Sequence, residues 1–154
     1  MEKGNTMVKR YSNAAFVYAI FAMIFGVFYR EFTKWNHFTG KTNLSVLHTH
    51  YFLLGMFFFL ILMIVEKIFA FSDQNNVNKL FVTYQLGLNI TGLGLLMRGL
   101  TQTLEMSLSR GMDAAISGIA GMGHIIMGVS MILFLLKIRK RAGSLEMREK
   151  DSIR

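Results

Sequence analysis

The chain contains no cysteine and no proline. Without cysteine it has no disulfide, no iron–sulfur ligand and no thiolate that could hold a haem iron. Acidic residues are scarce, since 9 aspartates and glutamates stand against 17 lysines and arginines and the net charge is +8. The sequence also lacks a phosphate-binding loop, a nucleophile elbow and a zinc-protease motif. None of the enzyme classes that depend on those motifs is therefore indicated.

Hydrophobic residues dominate what the chain does contain, at 53% of its 154 positions. Four apolar stretches, near 12–29, 44–65, 80–100 and 114–136, reach the roughly 18–20 residues that cross a bilayer as a helix. They are continuously apolar and do not alternate, so helices rather than barrel strands are expected. The sequence predicts an all-α membrane protein with one domain. Residues 1–142 form an up-down bundle of four transmembrane helices, and 143–154 form a basic cytoplasmic tail.

Basic residues mark one side of the predicted bundle. By the positive-inside rule, the side with more lysine and arginine faces the cytoplasm, so both termini are expected there. The C-terminal basic segment is expected to lie on anionic lipid and not to bind nucleic acid. Twelve basic residues fall on this side: Lys3, Lys9, Arg10, Lys67, Lys79, Lys137, Arg139, Lys140, Arg141, Arg148, Lys150 and Arg154. The other side has five: Arg30, Lys34, Lys41, Arg98 and Arg110.

Three histidines fall inside predicted spans, His48 and His50 in the second and His124 in the fourth. Ionisable side chains are costly in hydrocarbon and usually mark a ligand, a proton path or an ion site. Imidazoles in a chain without cysteine point first to a bound metal, and in a bilayer to haem iron. His50 and His124 lie at similar depths below the outer ends of their helices, which predicts that they ligate one haem b. The alternative is that each is a polar residue holding helices together.

His48 cannot share a centre with His50. The two residues are separated by about 200° around a helix. His48 is therefore expected to face a different cofactor or subunit, or to belong to a polar network near the membrane interface. An arrangement in which His48 and His50 hold haem from different subunits stays open.

Small residues adjoin the candidate ligand on the fourth span. Ala120, His124 and Gly128 share one helix face, and Gly121 adjoins it. Such a face leaves room for a porphyrin edge, and it equally allows close packing of two helices.

Arg98 is a candidate for binding a haem propionate. It lies near the outer end of the third span, after the small and polar stripe Gly87, Thr91 and Gly94. A guanidinium is a natural bidentate partner of a carboxylate. The alternatives are that Arg98 reaches the headgroups or pairs with Glu105.

The run Val-Leu-His-Thr-His-Tyr-Phe-Leu-Leu-Gly-Met, residues 46–56, resembles the His-x-His-Tyr helix of the haem–copper oxidase catalytic subunit. The resemblance implies that His48 corresponds to the ligand of a high-spin haem and His50 to that of a low-spin haem. It also implies that the chain corresponds to one of the three four-helix arcs of that subunit. Arg98 falls where the family places propionate-binding arginines.

The resemblance does not extend to a complete oxidase. The adjacent His-His pair of the copper site and its tyrosine-linked histidine have no counterpart here. Glu66 and Glu105 lie near span ends, so no acidic proton channel is evident. The chain also resembles an uncharacterised family of small four-span bacterial membrane proteins, through Phe-Tyr-Arg-Glu-Phe-Thr-Lys at 28–34 and Ser-Gly-Ile-Ala-Gly-Met-Gly-His at 117–124. This second resemblance implies a multi-pass protein of the bacterial plasma membrane.

These observations together predict a haem-binding membrane protein that works in electron transfer, in quinol or gas redox chemistry, or in sensing. A different class stays open: a small transporter or channel whose histidines handle protons or a transition metal. Because one arc exposes both flanks, the oxidase resemblance implies a homotrimer that rebuilds the ring, with a homodimer as the alternative.

Overall fold

The computed structural model describes residues 2–152, with side chains over 4–147 and 150–151. Lys3, Arg148 and Arg154 of the charge count lie outside those described side chains. Each predicted span is helical. Three helices are unbroken: α1 (Glu2–Trp35), α4 (Val77–Thr103) and α5 (Arg110–Ser152). The second span has three parts: α2 (Leu44–His50), a π-helical segment (Tyr51–Phe57) and α3 (Phe58–Phe69).

Four helical stretches are long and apolar enough to cross a membrane: Gly4–Trp35, Leu44–Phe69, Val77–Thr103 and Arg110–Met147. The prediction of an all-α protein with four such helices is confirmed. The helices run beyond the apolar stretches that predicted them. Helix α5 has 43 residues, about 65 Å at 1.5 Å per residue, against a hydrocarbon core of about 30 Å. The predicted tail therefore begins as a direct continuation of α5.

Helices α4 and α5 pack against each other more extensively than any other pair. A Cβ atom added to Gly87 would lie 2.5 Å from the backbone nitrogen of Met127, and one on Gly94 would lie 2.7 Å from the Cβ of Ala120. The small stripe of α4 thus lets two helix backbones approach closely. The stripe therefore packs against α5 of the same chain.

A column of stacked aromatic rings joins α1 to the second span. Its rings are nearly parallel, with interplanar angles of 9–18° and centroid spacings of 5.5–6.2 Å. They run in the order Phe25, Tyr51, Tyr18, Phe59, Tyr11 and Phe71. The α1 members recur every seven residues, so they lie on one helix face. The aromatic column fixes the height of the second span against α1.

The π-helical segment departs from the continuous α-helix expected for the second span. It begins directly after His50. Gly55 lies against α1 here, since an added Cβ would be 2.6 Å from the Cβ of Tyr18. The hydroxyl of Tyr84 donates a hydrogen bond of 2.8 Å to the carbonyl of Leu54, so this carbonyl gains a partner from α4. Single π-helical turns inside α-helices are frequent at functional sites.

The two ends of the bundle differ in how the second span meets α5. Helix α3 contacts α5, whereas α2 packs mainly on α1 and α4. At the end that carries the termini, Arg141 of α5 donates a 2.9 Å hydrogen bond to the carbonyl of Phe69. At the opposite end, α2 is fixed to α4, where Thr42 donates a 2.9 Å hydrogen bond to the carbonyl of Gly99, and one side chain of α2 approaches one of α5.

Candidate functional site

His50 and His124 meet in the space between α2 and α5. Their ring centroids are 5.8 Å apart and their planes are nearly perpendicular, at 88°. His50 is the last residue of α2, and His124 lies near the middle of the apolar part of α5. The structure therefore brings together the two histidines that the depth argument paired.

Each of these rings is oriented by the backbone of its own helix. His50 Nδ1 lies 2.8 Å from the carbonyl oxygen of Val46, and His124 Nδ1 lies 2.8 Å from that of Ala120. A carbonyl only accepts hydrogen bonds, so Nδ1 carries the proton in both rings. In the neutral ring this leaves Nε2 with its lone pair, on the side of the ring that points away from the helix. This is the tautomer in which imidazole binds a metal through Nε2.

Neither Nε2 has a hydrogen-bond partner among the residues that the structure describes. His50 is half-buried and His124 is exposed on the surface of the single chain. An unsatisfied ring nitrogen within a membrane span is costly. Over the described side chains, no group of three or more histidine, cysteine or acidic residues is placed to hold a metal ion. The pair can supply two ligands to a metal and no more.

Next to His124, two glycines of α5 face open space. A Cβ added to Gly121 or Gly128 would meet no heavy atom within 4 Å, leaving aside the helix's own backbone. Gly123, by contrast, is buried against α4, where the hydroxyl oxygen of Thr91 would lie 2.6 Å from an added Cβ. The open glycines are thus not explained by helix packing inside the chain.

Arg98 reaches from α4 to the N-terminal end of α5. It donates to the carboxylate of Asp113 at 2.5 Å, to the Asp113 carbonyl at 3.0 Å and to the hydroxyl of Ser117 at 2.6 Å. Its ion pair is with Asp113 and not with Glu105, the partner that the sequence suggested. Ser117 precedes His124 by seven residues, about 10 Å along the helix and close to its face. Arg98 therefore lies above the histidine pair, at the rim of a cavity of about 380 Å³ that Arg110 and Gln102 also line.

His48 faces away from this pair, as its separation from His50 required. Its ring stacks on Tyr29 of α1 with centroids 6.3 Å apart and an interplanar angle of 11°. A Cβ added to Gly26 would lie 3.8 Å from it. His48 Nδ1 is buried and has no hydrogen-bond partner in the described part of the chain. The remaining histidine, His37, is exposed in the connection after α1.

One polar cluster was missed at the sequence level. Asn89 of α4 donates a 2.8 Å hydrogen bond to the hydroxyl of Tyr18, and the hydroxyl of Tyr51 donates to the Asn89 side-chain oxygen at 3.5 Å. The sequence indicated this cluster through the side-chain amide of Asn89, which lies inside an apolar span.

Glu66 lies near the end of the second span, as the sequence indicated. Its carboxylate accepts hydrogen bonds from the backbone N–H and the hydroxyl of Ser72, at 3.0 and 2.5 Å. Its role is to hold the turn after α3.

The fold and composition are those of an all-α protein with four helices that could span a membrane, and they are compatible with a multi-pass membrane protein. The chain belongs to the family described as Protein of unknown function (DUF2871), whose sequence model matches residues 8–141. The match includes the four apolar stretches of the sequence, 12–29, 44–65, 80–100 and 114–136, and the three histidines within them. No curated protein and no solved structure matches the chain.

Proposed function

We propose that the protein binds one haem b through His50 and His124 and uses it for electron transfer. The observation that carries the proposal is the spacing of the two rings. A metal–imidazole bond is about 2 Å long, so imidazoles on opposite sides of one metal have ring centres about 6 Å apart. The observed 5.8 Å agrees with that distance.

The ligand count supports haem over a bare metal ion. Structural zinc sites take four protein ligands and catalytic ones three. Here two imidazoles converge without a third histidine or acidic ligand among the described side chains. A haem would require no more from the protein than the two imidazole nitrogens of His50 and His124. In both rings, the Nδ1–H group donates a hydrogen bond to a backbone carbonyl oxygen. Metal-binding histidines are commonly oriented by a hydrogen bond of this kind.

The surroundings fit a flat macrocycle with carboxylates at one edge. Gly121 and Gly128 leave the α5 face beside His124 open. Arg98 has five N–H donors, of which its bonds to Asp113 and Ser117 engage three. Its remaining donors are available to a propionate, about 10 Å above the histidines. In this proposal His50 and His124 hold the iron, and Arg98 holds a propionate.

The coordination favours electron transfer over catalysis at the iron. When bound, the haem supplies a one-electron couple, and two histidines leave no open coordination position. A quinol dissolved in the bilayer is the class of electron donor that reaches such a depth. Binding of oxygen or nitric oxide would require one histidine to leave, which is the basis of the sensing alternative.

The oxidase resemblance is part of this proposal and rests on the His-x-His motif. His48 corresponds to the high-spin haem ligand of that family, but in this chain it stacks on Tyr29. With no copper-site histidine pair in the sequence, we assign no oxygen-reducing activity. Residence in a bacterial plasma membrane, with both termini cytoplasmic, belongs to the same proposal.

A visible spectrum of the protein purified in mild detergent, from cells supplied with haem precursor, tests the proposal. We expect a Soret band, sharp α and β bands after reduction, and one haem per chain. His37→Ala is the matched control because it removes a histidine outside the spans and should leave the spectrum intact. A colourless preparation, from cells that load another haem protein normally, overturns haem binding and favours the transporter or channel alternative.

A further inference from the structure

A second cavity lies at the end of the bundle that carries the termini, between the start of α4 and the end of the apolar part of α5. Its volume is about 380 Å³. Its lining combines polar or basic side chains with apolar ones: Asn76, Lys79, Leu80, Thr83, Leu133 and Lys137. It is remote from the histidine pair, which lies toward the other end of both helices.

The cavity has two positive charges and no acidic lining residue. Three other cavities in the described part of the chain each include at least one carboxylate, from Glu66, Asp73, Glu105 or Asp113. Lys79 has no ion pair or side-chain hydrogen bond to another described residue. Lys137 donates to the carbonyl of Asn75 at 2.7 Å, which uses one of its three donors. The two ammonium groups therefore lack a counter-charge.

The two lysines lie at the ends of apolar segments, where a membrane boundary is expected. Lys79 lies two residues after Val77, the first residue of the third helix that could span a membrane. Lys137 follows the apolar run that ends in Leu135 and Leu136, both more than half exposed. Basic residues at this level meet phosphate groups, while the apolar wall beneath them meets acyl chains. Leu133, which is 41% exposed, extends that wall toward the membrane centre.

We propose that this cavity binds an anionic phospholipid. The phosphate lies between Lys79 and Lys137, and an acyl chain follows the wall formed by Leu80 and Leu133. A lone lysine at a membrane boundary merely extends toward the headgroups. Two lysines from different helices that share one cavity without a carboxylate can hold one phosphate together. This site does not depend on haem binding.

Native mass spectrometry of the delipidated full-length protein, offered equal amounts of phosphatidylglycerol and phosphatidylcholine, tests the proposal. We expect retained phosphatidylglycerol to exceed phosphatidylcholine. Replacing Lys79→Gln and Lys137→Gln should lower the preference by about fivefold for each lysine. The matched control is Arg139→Gln with Lys140→Gln, which removes two exposed charges from the same end of α5 outside the cavity and should keep the preference.

Three outcomes would overturn the lipid site. The first is equal retention of the two lipids by the unaltered protein. The second is an equal loss of preference in the control pair, which would mean diffuse surface attraction. The third is displacement of the lipid by millimolar inorganic phosphate, which would mean that the apolar wall adds nothing. As a check of that wall, Leu133→Trp fills the cavity without changing charge and should also weaken retention.

Discussion

His50 and His124 take their orientation from carbonyl groups one turn earlier in their own helices, at Val46 and Ala120. Ring orientation is therefore a local property of each helix, while the distance between the rings depends on where α2 and α5 stand. A substitution at either histidine should remove one ligand without disturbing the other ring.

We predict that His50→Ala or His124→Ala abolishes the six-coordinate low-spin haem spectrum or converts it to a five-coordinate form. The reason is that each variant lacks one of the two axial nitrogens. Absorption and electron paramagnetic resonance spectra measure the change, and added imidazole should restore the low-spin form. If both variants keep the original spectrum, the assignment is wrong. A larger effect of His48→Ala would favour ligands drawn from different subunits.

Arg98 is predicted to retain haem through a propionate. Arg98→Leu should weaken haem binding by about tenfold or more, since a hydrogen bond to a charged group contributes about 1.5–3 kcal/mol. It should also shift the midpoint potential, because a positive charge near the iron is lost. Haem content after dialysis and a redox titration measure both effects. Unchanged values would leave Arg98 only the structural role of binding Asp113 and Ser117.

At the scale of helices, the glycines of α4 and α5 divide into two groups. Gly87, Gly94 and Gly123 lie in the α4–α5 contact, whereas Gly121 and Gly128 face open space. A side chain in the first group must push two backbones apart. A side chain in the second group changes only the surface beside His124.

We therefore predict opposite effects for two leucine substitutions. Gly94→Leu should lower the unfolding temperature in detergent, because overpacking costs about 1–3 kcal/mol or more. Gly128→Leu should leave the unfolding temperature of the haem-free protein almost unchanged and should reduce haem loading. Thermal unfolding and haem content are measured on both variants. Gly118→Leu, which also has open space, controls for the loss of glycine itself. Normal haem loading of Gly128→Leu would contradict the proposed location of the macrocycle.

Some features of the structure could be predicted from the sequence, and others could not. Four spans followed from apolar length alone, because the backbone must be helical in a bilayer. Helix rise predicted similar depths for His50 and His124 within their spans, but the meeting of the two rings also depends on how α2 and α5 are placed around α4, which helix rise does not give. The π-helical segment did not follow, since it depends on the contact of Gly55 with Tyr18 and on a hydrogen bond from Tyr84. For Arg98, the sequence offered pairing with Glu105 as one of the alternatives to binding a propionate. Its actual partner Asp113 lies across a turn whose path no local pattern specified.

At the scale of the whole molecule, the first property to test is the orientation of the bundle in the membrane. The basic end of the bundle carries both termini and the connection around Asn75, and we predict that it faces the cytoplasm. The absence of native cysteine makes single-cysteine labelling unambiguous. A membrane-impermeant maleimide should label Ser107→Cys in intact cells and Asn75→Cys only after permeabilisation. The reverse pattern would invert the topology.

The second property of the whole molecule to test is the number of chains in the assembled protein. We predict a homotrimer, with a homodimer as the alternative, because His124 and the glycines beside it are exposed on a single chain. In this prediction the exposed face of α5 contributes to the contact surface, whereas the small stripe of α4 is already covered by α5. Native mass spectrometry in mild detergent measures the copy number. A stable, haem-loaded monomer would exclude the trimer and leave the single-chain histidine pair as the complete ligand set.

The aromatic column and the glycine contact divide the bundle into two stiff pairs of helices. Stacked rings hold α1 to the second span, and close backbone packing holds α4 to α5. One histidine comes from each pair, so the site lies on the seam between them. The pairs meet near the termini, where Arg141 donates a hydrogen bond to the carbonyl of Phe69, and again at the other end, where Thr42 donates a 2.9 Å hydrogen bond to the carbonyl of Gly99. A ligand held by both imidazoles would therefore add a third connection across the seam, between α2 and α5. Amide exchange near His50 should slow when such a ligand binds.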